Sequence, residues 1–480
     1  MNMIDTQNVA TRMEYDSVGG KQVPVDAYYG VQSLRAMENF NITGRTIHPE
    51  MIVSLALLKK ACAIANAEAG VLEQRIADAI SQACDCIVSG QYHDQFIVDP
   101  IQGGAGTSMN MNANEVIANI AIELLGGQKG DYSIVHPNDH VNYGQSTNDI
   151  IPSAGKMTTL VLLRKLEKNL VVLVDALEEK AREFDGVIKM GRTQMQDAVP
   201  IRLGQEFKAY ATAVARGLER IRRGKNELLT INMGGTAIGT GLNADEAYFE
   251  TIVSTLNTLT GIRFTQATDL VDSTQNIDGF AAISGNLKVC AIAMSKIAND
   301  LRLMSSGPRT GFGEINLPAK QNGSSIMPGK VNPVIPEVVS QVAYKIVGND
   351  MCIAMAAEAG QLELNAFEPV VFESLFQSIT MLSGAADTFV VNCINGITAN
   401  EERCRELVDM SVGTITALCP HIGYARAAKI AKEALATGIS VKQLVLDQKI
   451  LTEEELEKIF NAYGMTEPGI SGKELLDTEH

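Results

Sequence analysis

The stretch 157–185, MTTLVLLRKLEKNLVVLVDALEEKAREFD, holds neither proline nor glycine. Leu163, Leu166, Leu170, Leu173, Leu177 and Phe184 recur along it at spacings of three, four or seven, which puts them in one stripe on an α-helix. The same spacing returns in Phe207, Tyr210, Val214, Leu218, Ile221 and Leu228, within a run that starts near Gly204. A third run extends from about Thr274 to Ser306, and more helical pattern follows Pro336. Each can reach ~30 residues, or ~45 Å at 1.5 Å per residue, longer than a small domain is wide. Several such helices constrain the chain to an extended bundle. Val171, Val172 and Val174 flank the first stripe and widen its apolar surface. A helix apolar over most of its circumference must be covered by other helices, so a homo-oligomer with shared helices is expected.

Around this bundle the chain is too long for one ordinary domain: its 480 residues predict about two to four. Strand signals are few and short, with Lys21–Val25 and Gly186–Met190 as candidates. After Asn395 the pattern changes to shorter amphipathic segments: Asn400–Met410, Tyr424–Thr437, Val441–Asp447 and Thr452–Ala462. Asn400 is placed to cap the first of these, and Thr452 and Glu455 have capping-box spacing. The reading is a mainly α chain in three parts: a mixed, mostly helical 1–146, a long-helix 147–395 and a small helical 396–480. The tail from Pro468 to His480 reads as mobile.

Charge and cysteine usage exclude several function classes. Forty basic against 56 acidic side chains give a net charge of −16, which argues against nucleic acid or an anionic membrane surface as partner. A small anionic substrate is not excluded, because it feels local groups. The N-terminal MNMIDTQNVATRMEYDSVGG has no apolar core of the signal-peptide type, and no run approaches the ~18 unbroken apolar residues of a membrane span. The eight cysteines form no CxxC pair, so zinc is not expected and reduced thiols in a cytoplasmic protein are. Cys84 and Cys86 read as helix core and surface.

Four polar islands interrupt the helical pattern: GGAGTSMNMNANE (Gly103–Glu115), HPNDHVNYGQSTND (His136–Asp149), GRTQMQDAVP (Gly191–Pro200) and GSSIMPGKVNPVIPE (Gly323–Glu337). Any one of them suits caps and turns. GGAGTS lacks the GK[ST] ending of a phosphate loop, and Pro137 disfavours a helix carrying both His136 and His140 as metal ligands. Four such islands, each beside the end of a long helix, suggest one composite site.

The fourth island resembles the signature of the aspartase/fumarase superfamily. YYGVQSLRAMENFNITG, GGAGTSMNMNANEVIANIAIELLG, HPNDHVN, QSTND, GGTAIGTGLN, NDLRLMSSGPR, MAAEAGQLELNAFEP and CINGITAN also resemble family segments in family order, and together they span nearly the whole chain. Within the superfamily the aspartase branch fits better than the fumarases. GRTQ stands where fumarases read GRTH, QSTND where they typically read QSSND, and VIPEVV follows Lys330-Val-Asn-Pro in the aspartase form. Tyr143–Gly144 departs from the usual Lys and small residue.

The resemblance implies reversible deamination of L-aspartate to fumarate and ammonia through an aci-carboxylate. Ser324 would be the general base on a mobile loop whose Gly323 and Gly329 let it close as a lid. Lys330 and loop N–H groups would favour its oxyanion. Thr107, Ser146, Thr147 and Ser325 would hold the β-carboxylate; Lys330, Asn332 and Thr193 the α-carboxylate; Asn148 and Gln194 would lie near the amino group. Fumarases pair a histidine at 194 with a glutamate, matched here by Glu337. Gln194 cannot shuttle a proton, which handicaps loss of hydroxide more than loss of ammonia. The expected assembly is a homotetramer whose sites draw on three subunits. No cofactor is required; activation by divalent cations is compatible with the resemblance, but no ligand cluster locates a site. Fumarase is the alternative, argininosuccinate or adenylosuccinate lyase a distant third, and an inactive structural member a remote one, disfavoured because the site residues are all present.

Overall fold

A computed structural model describes residues 10–476. The chain is mainly helical, with α1 (Val31–Asn39), α2 (Pro49–Glu68), α3 (Gln74–Val88), α4 (Thr107–Leu124), α5 (Thr147–Glu183), α6 (Leu203–Gly224), α7 (Glu246–Thr260) and α8 (Leu270–Gln275). There follow α9 (Asp278–Met304), α10 (Val334–Glu358), α11 (Glu368–Asn392), α12 (Glu401–Met410), α13 (Ile415–Ile422), α14 (Tyr424–Thr437), α15 (Val441–Asp447) and α16 (Glu453–Ile459). Among the described residues the strands pair in twos. Antiparallel pairs join β1 (Thr11–Asp16) to β2 (Gly19–Pro24), β3 (Ile188–Thr193) to β4 (Gln196–Arg202), and β7 (Ile315–Asn316) to β8 (Thr398–Ala399). The two-residue β5 (Thr230–Ile231) and β6 (Thr265–Gln266) run parallel.

The chain forms two compact units. One comprises the chain up to Glu167 with Glu219–Val289 and Tyr344–Ser383; the other comprises Lys168–Leu218, Cys290–Ala343 and the chain from Gly384 onward. The stripe expected along the first long helix is its buried face: Leu163, Leu166, Leu170, Leu173 and Leu177 are fully buried and Phe184 nearly so. In the second unit, the short C-terminal helices enclose a core of their own around Leu418, Ile430, Leu444, Val445, Leu456 and Ile459. The helix α9 is long and apolar enough to cross a membrane, with a mean hydropathy of 1.3 over 18 residues. Half of that window is buried within the protein, as in the core helix of a bundle.

The first long helix begins ten residues before the proline- and glycine-free stretch, at Thr147, and includes Pro152 and Gly155. Proline deprives the carbonyl four residues earlier of its helical N–H. That carbonyl belongs to Asn148, and Asn232 Nδ2 donates to it instead at 2.9 Å. Gly155 makes room for a ring: a Cβ there would lie 2.2 Å from Phe372 Cε1. Two further expectations are corrected. Asn400 occupies the N-cap position of α12, but its side chain makes no cap bond; its amide donates to the Gly313 carbonyl at 2.7 Å and pairs with Asn316. The expected mobile tail is tied down through 476, since Ser471 is buried and His421 Nε2 meets its carbonyl at 2.8 Å. Its last four residues, 477–480, lie outside the described residues, as do 1–9 of the N-terminal segment. The Thr452–Glu455 capping box forms as expected.

Candidate active site

Four of the ten singled-out residues fall in the first unit and six in the second. In the first unit, Thr107 opens α4 behind a left-handed Gly106 (φ 88°), where a Cβ would lie 2.9 Å from Ile151. Ser146, Thr147 and Asn148 open α5. The start of that helix is a reciprocal cap: Ser146 N donates to Asp149 Oδ1 at 2.9 Å, and Asn148 N donates to Ser146 Oγ at 3.2 Å. Asn148 Nδ2 donates to the Ala237 carbonyl at 2.7 Å, which ties the GGTAIGTGLN segment to this helix end. The two helix starts meet through Asn110, whose Nδ2 lies 3.4 Å from Thr147 Oγ1. The Thr107 hydroxyl donates to the Gly104 carbonyl at 2.7 Å, so it must leave that bond to donate to a ligand. A cavity of about 510 Å³ beside the first turn of α4 is lined by Gln32, Arg35, Ser108, His136 and Asn138, among others.

Beneath these hydroxyls lies a polar network that the sequence pattern did not reveal. Lys59 is fully buried in α2, and its Nζ donates to Asn142 Oδ1 and Gln145 Oε1, both at 2.8 Å. Asn142 Oδ1 also accepts from Asn110 Nδ2 at 3.1 Å and from Asn114 Nδ2 at 3.2 Å. Burial pulls the Lys59 ammonium down to about 8, against the opposing pull of Cys62 and Asp149. Burial likewise pushes Asp149 up to about 6, while N–H groups of Ser146, Thr236 and Gly234 favour its anion. The one available signal for Lys59 was its place beside a second lysine in the apolar stretch LALLKKACAIAN.

The first island therefore divides by helical face. Asn110 and Asn114, four residues apart, turn to Asn142. Asn112 and Glu115 hold chain segments instead: Asn112 bonds Ile97 N and the Gln95 carbonyl, and Glu115 accepts from Gly30, Gln32 and Ser33 N–H groups.

In the second unit, Thr193 and Gln194 sit at the exposed tip of the β3–β4 hairpin, with Thr193 paired to Gln196 and both Gln194 (φ 53°) and Met195 (φ 63°) left-handed. The 323–332 segment forms a closed loop. Gly323 N donates to the Lys330 carbonyl at 2.9 Å, and Asn332 Nδ2 donates to the Gly323 carbonyl at 2.6 Å. A side chain at 323 would lie 2.5 Å from the Lys330 carbonyl oxygen, so the close approach requires glycine. Within the loop, Ser324 Oγ accepts the backbone N–H of Ile326 at 3.2 Å and of Met327 at 3.0 Å. Ser325 and Lys330 are exposed beside it, and Gly329 is left-handed. Among the described residues no hydrogen bond joins this loop to the 193–196 turn. Glu337, in the first turn of α10, lies 3.8 Å from Arg302. His136 precedes a π-turn over Pro137–Val141 that contains His140, and the His136 ring accepts the Asn138 and Asp139 N–H groups. Among the described residues no three His, Cys, Asp or Glu side chains converge as a metal site.

The chain resembles known proteins along nearly its whole length. Residues 19–348 match the family model described as Lyase, and residues 415–467 match Fumarase C C-terminus. Aspartate ammonia-lyase of Bacillus subtilis is 56% identical over 466 residues, 97% of this chain and 98% of the relative. That of Escherichia coli is 48% identical over 469 residues, 97% and 98%. A crystal structure described as fumarate lyase:delta crystallin from Brucella melitensis bound to cobalt superposes with a TM-score of 0.93 at 48% identity, covering 96% of this chain and 100% of that one. The class II fumarase of Schistosoma mansoni superposes at 0.92 with 35% identity, over 96% and 100%. With full-length likeness in sequence and in fold, the chain belongs to the aspartase/fumarase superfamily of lyases.

Proposed function

We propose that this protein is a carbon–nitrogen lyase that deaminates L-aspartate reversibly to fumarate and ammonia. The observation that carries the reading is the environment of Ser324. Two backbone N–H groups aim at its Oγ, the arrangement that favours a serine oxyanion over the neutral hydroxyl. Ionised Ser324 takes the proton from C3 of aspartate, and the electron pair moves into the β-carboxylate to give an aci-carboxylate. Donors from Thr107, Ser146, Thr147 and Ser325 meet the charge that develops there, so they bind the transition state more tightly than the substrate. Lys330, Asn332 and Thr193 hold the α-carboxylate. The C2–N bond then breaks, its electrons leave on neutral ammonia, and the C2=C3 bond of fumarate forms. Asn148 and Gln194 receive the amino group. No cofactor enters these steps, and activation by a divalent cation has no located site.

Residues from loops far apart in the chain have to meet in such a site, and we read an oligomer as the means. On α10, Tyr344, Val347, Met351 and Met355 follow one another at helical spacing and are all exposed, 64%, 40%, 63% and 66%. A stripe of this kind fits a homotetramer in which three subunits supply each site. The three-part division at residues 146 and 395 and a cytoplasmic setting for the eight cysteines complete the reading. Fumarate absorbance on mixing purified protein separately with L-aspartate and L-malate tests it. Fumarate from aspartate with equal ammonia supports the proposal; fumarate from malate alone replaces it with a fumarase.

A further inference from the structure

The hairpin tip that presents Thr193 and Gln194 is exposed, and its central Gln194 and Met195 adopt a left-handed backbone that neither residue favours. Such a turn needs fixing from outside. Its flanking residues, Arg192 on β3 and Asp197 on β4, face each other across the ladder, and each is anchored to a different buried group. Arg192 Nη1 donates to Oε1 of the fully buried Glu314 at 2.7 Å, and its guanidinium lies 4.3 Å over the ring of Phe312. On the other strand, Ser411 Oγ donates to Asp197 Oδ2 at 2.8 Å; Ser411 is itself 4% exposed and accepts Gly413 N at 3.1 Å. A bulge between Met190 and Arg192 re-aims the strand end toward these anchors. The bulge depends on Gly191, where a Cβ would lie 2.6 Å from the Val199 carbonyl oxygen.

We propose that Arg192–Glu314 and Asp197–Ser411 form a two-sided clamp that positions Thr193 and Gln194 for the α-carboxylate and amino group of the substrate. The inference rests on the proposed function, which gives those two residues their contacts. The four clamp residues are positioning residues. A loosened tip binds substrate and transition state more weakly alike, so the effect falls on KM and not on kcat.

The test is steady-state kinetics with L-aspartate on the full-length enzyme, with melting temperatures recorded. Asp197→Ala and Ser411→Ala are expected to raise KM about five- to tenfold, as one lost hydrogen bond would, with kcat within about threefold. Asp197→Asn keeps an acceptor for Ser411 and recovers most of the loss. Glu314→Gln is expected to act in the same direction, but it alters a buried charge, so the Asp197–Ser411 side of the clamp decides the test. Thr193→Ala separates the clamp from the substrate contact it serves. If Thr193→Ala raises KM while Asp197→Ala and Ser411→Ala leave it within twofold, the clamp is wrong and the substrate contact of Thr193 stands. If Thr193→Ala itself leaves KM unchanged, the assignment of this tip to the substrate falls, and the clamp with it.

Discussion

Gly155→Ala should destabilise the protein, although alanine is the better helix former. The site is the ninth residue of α5, where replacing glycine gains about 1 kcal/mol of helix propensity. Against this, the new Cβ would lie 2.2, 2.4 and 3.0 Å from Cε1, Cζ and Cδ1 of Phe372. The ring cannot simply swing away. It is 2% exposed, stacked on Phe376 at 5.6 Å between centroids and 5° between planes, and set edge-on to Phe280 at 5.2 Å and 74°. Overpacking of this kind costs about 1–3 kcal/mol, and disturbing an aromatic pair about another 1. The net expectation is a loss of about 1–3 kcal/mol. The assay is a double-mutant cycle with Phe372→Leu, read from urea unfolding midpoints at matched protein concentration. With the ring shortened, Gly155→Ala should turn neutral or stabilising by up to about 1 kcal/mol. Equal destabilisation in both backgrounds, or stabilisation in the wild-type background, would refute the steric reasoning. In the proposed function the start of this helix, Thr147 and Asn148 with Ser146 just before it, meets the substrate, so the single variant should also weaken activity.

Other consequences are more direct. Ser324→Ala should lower kcat with L-aspartate by a factor of about 1,000 or more while fumarate still binds, measured by inhibition or calorimetry; retained turnover would remove the serine from the chemistry. Gln194→His should raise the ratio of L-malate to L-aspartate turnover, because the ring can protonate a departing hydroxide. Met351→Glu with Met355→Glu should dissociate the oligomer, seen by light scattering, and abolish activity while helical circular dichroism persists. Asp149 supplies a pH signature. Its folded value of about 6 lies above the unfolded value near 4, so the folded state binds more protons between them, and the stability this group contributes at low pH is lost as pH rises through about 6. The loss amounts to about 3 kcal/mol. The wild-type minus Asp149→Asn difference in unfolding free energy should fall across that window and stay flat above it.

What the sequence determined by itself is what depends on neighbours along the chain. The 3.6-residue period located the long helices and gave α14 and α15 their observed bounds, because side-chain burial on a helix face is written into consecutive residues. The four islands marked the helix ends and loops that carry the candidate residues, and the motif resemblance identified the superfamily. Wherever a residue's role depends on a partner from a remote segment, the tertiary structure alone decided. Pro152 stays inside α5 because Asn232, eighty residues on, supplies the donor that proline lacks. Asn400 abandons its cap for Gly313 and Asn316. Lys59 and Asp149 are tolerated in the interior because amide oxygens and backbone N–H groups from distant loops surround them. Glu314 and Ser411, which hold the hairpin tip, lie more than a hundred residues from it. A buried polar group is stable only when its hydrogen-bonding partners are brought to it, and sequence spacing records the group without recording which partners the fold delivers.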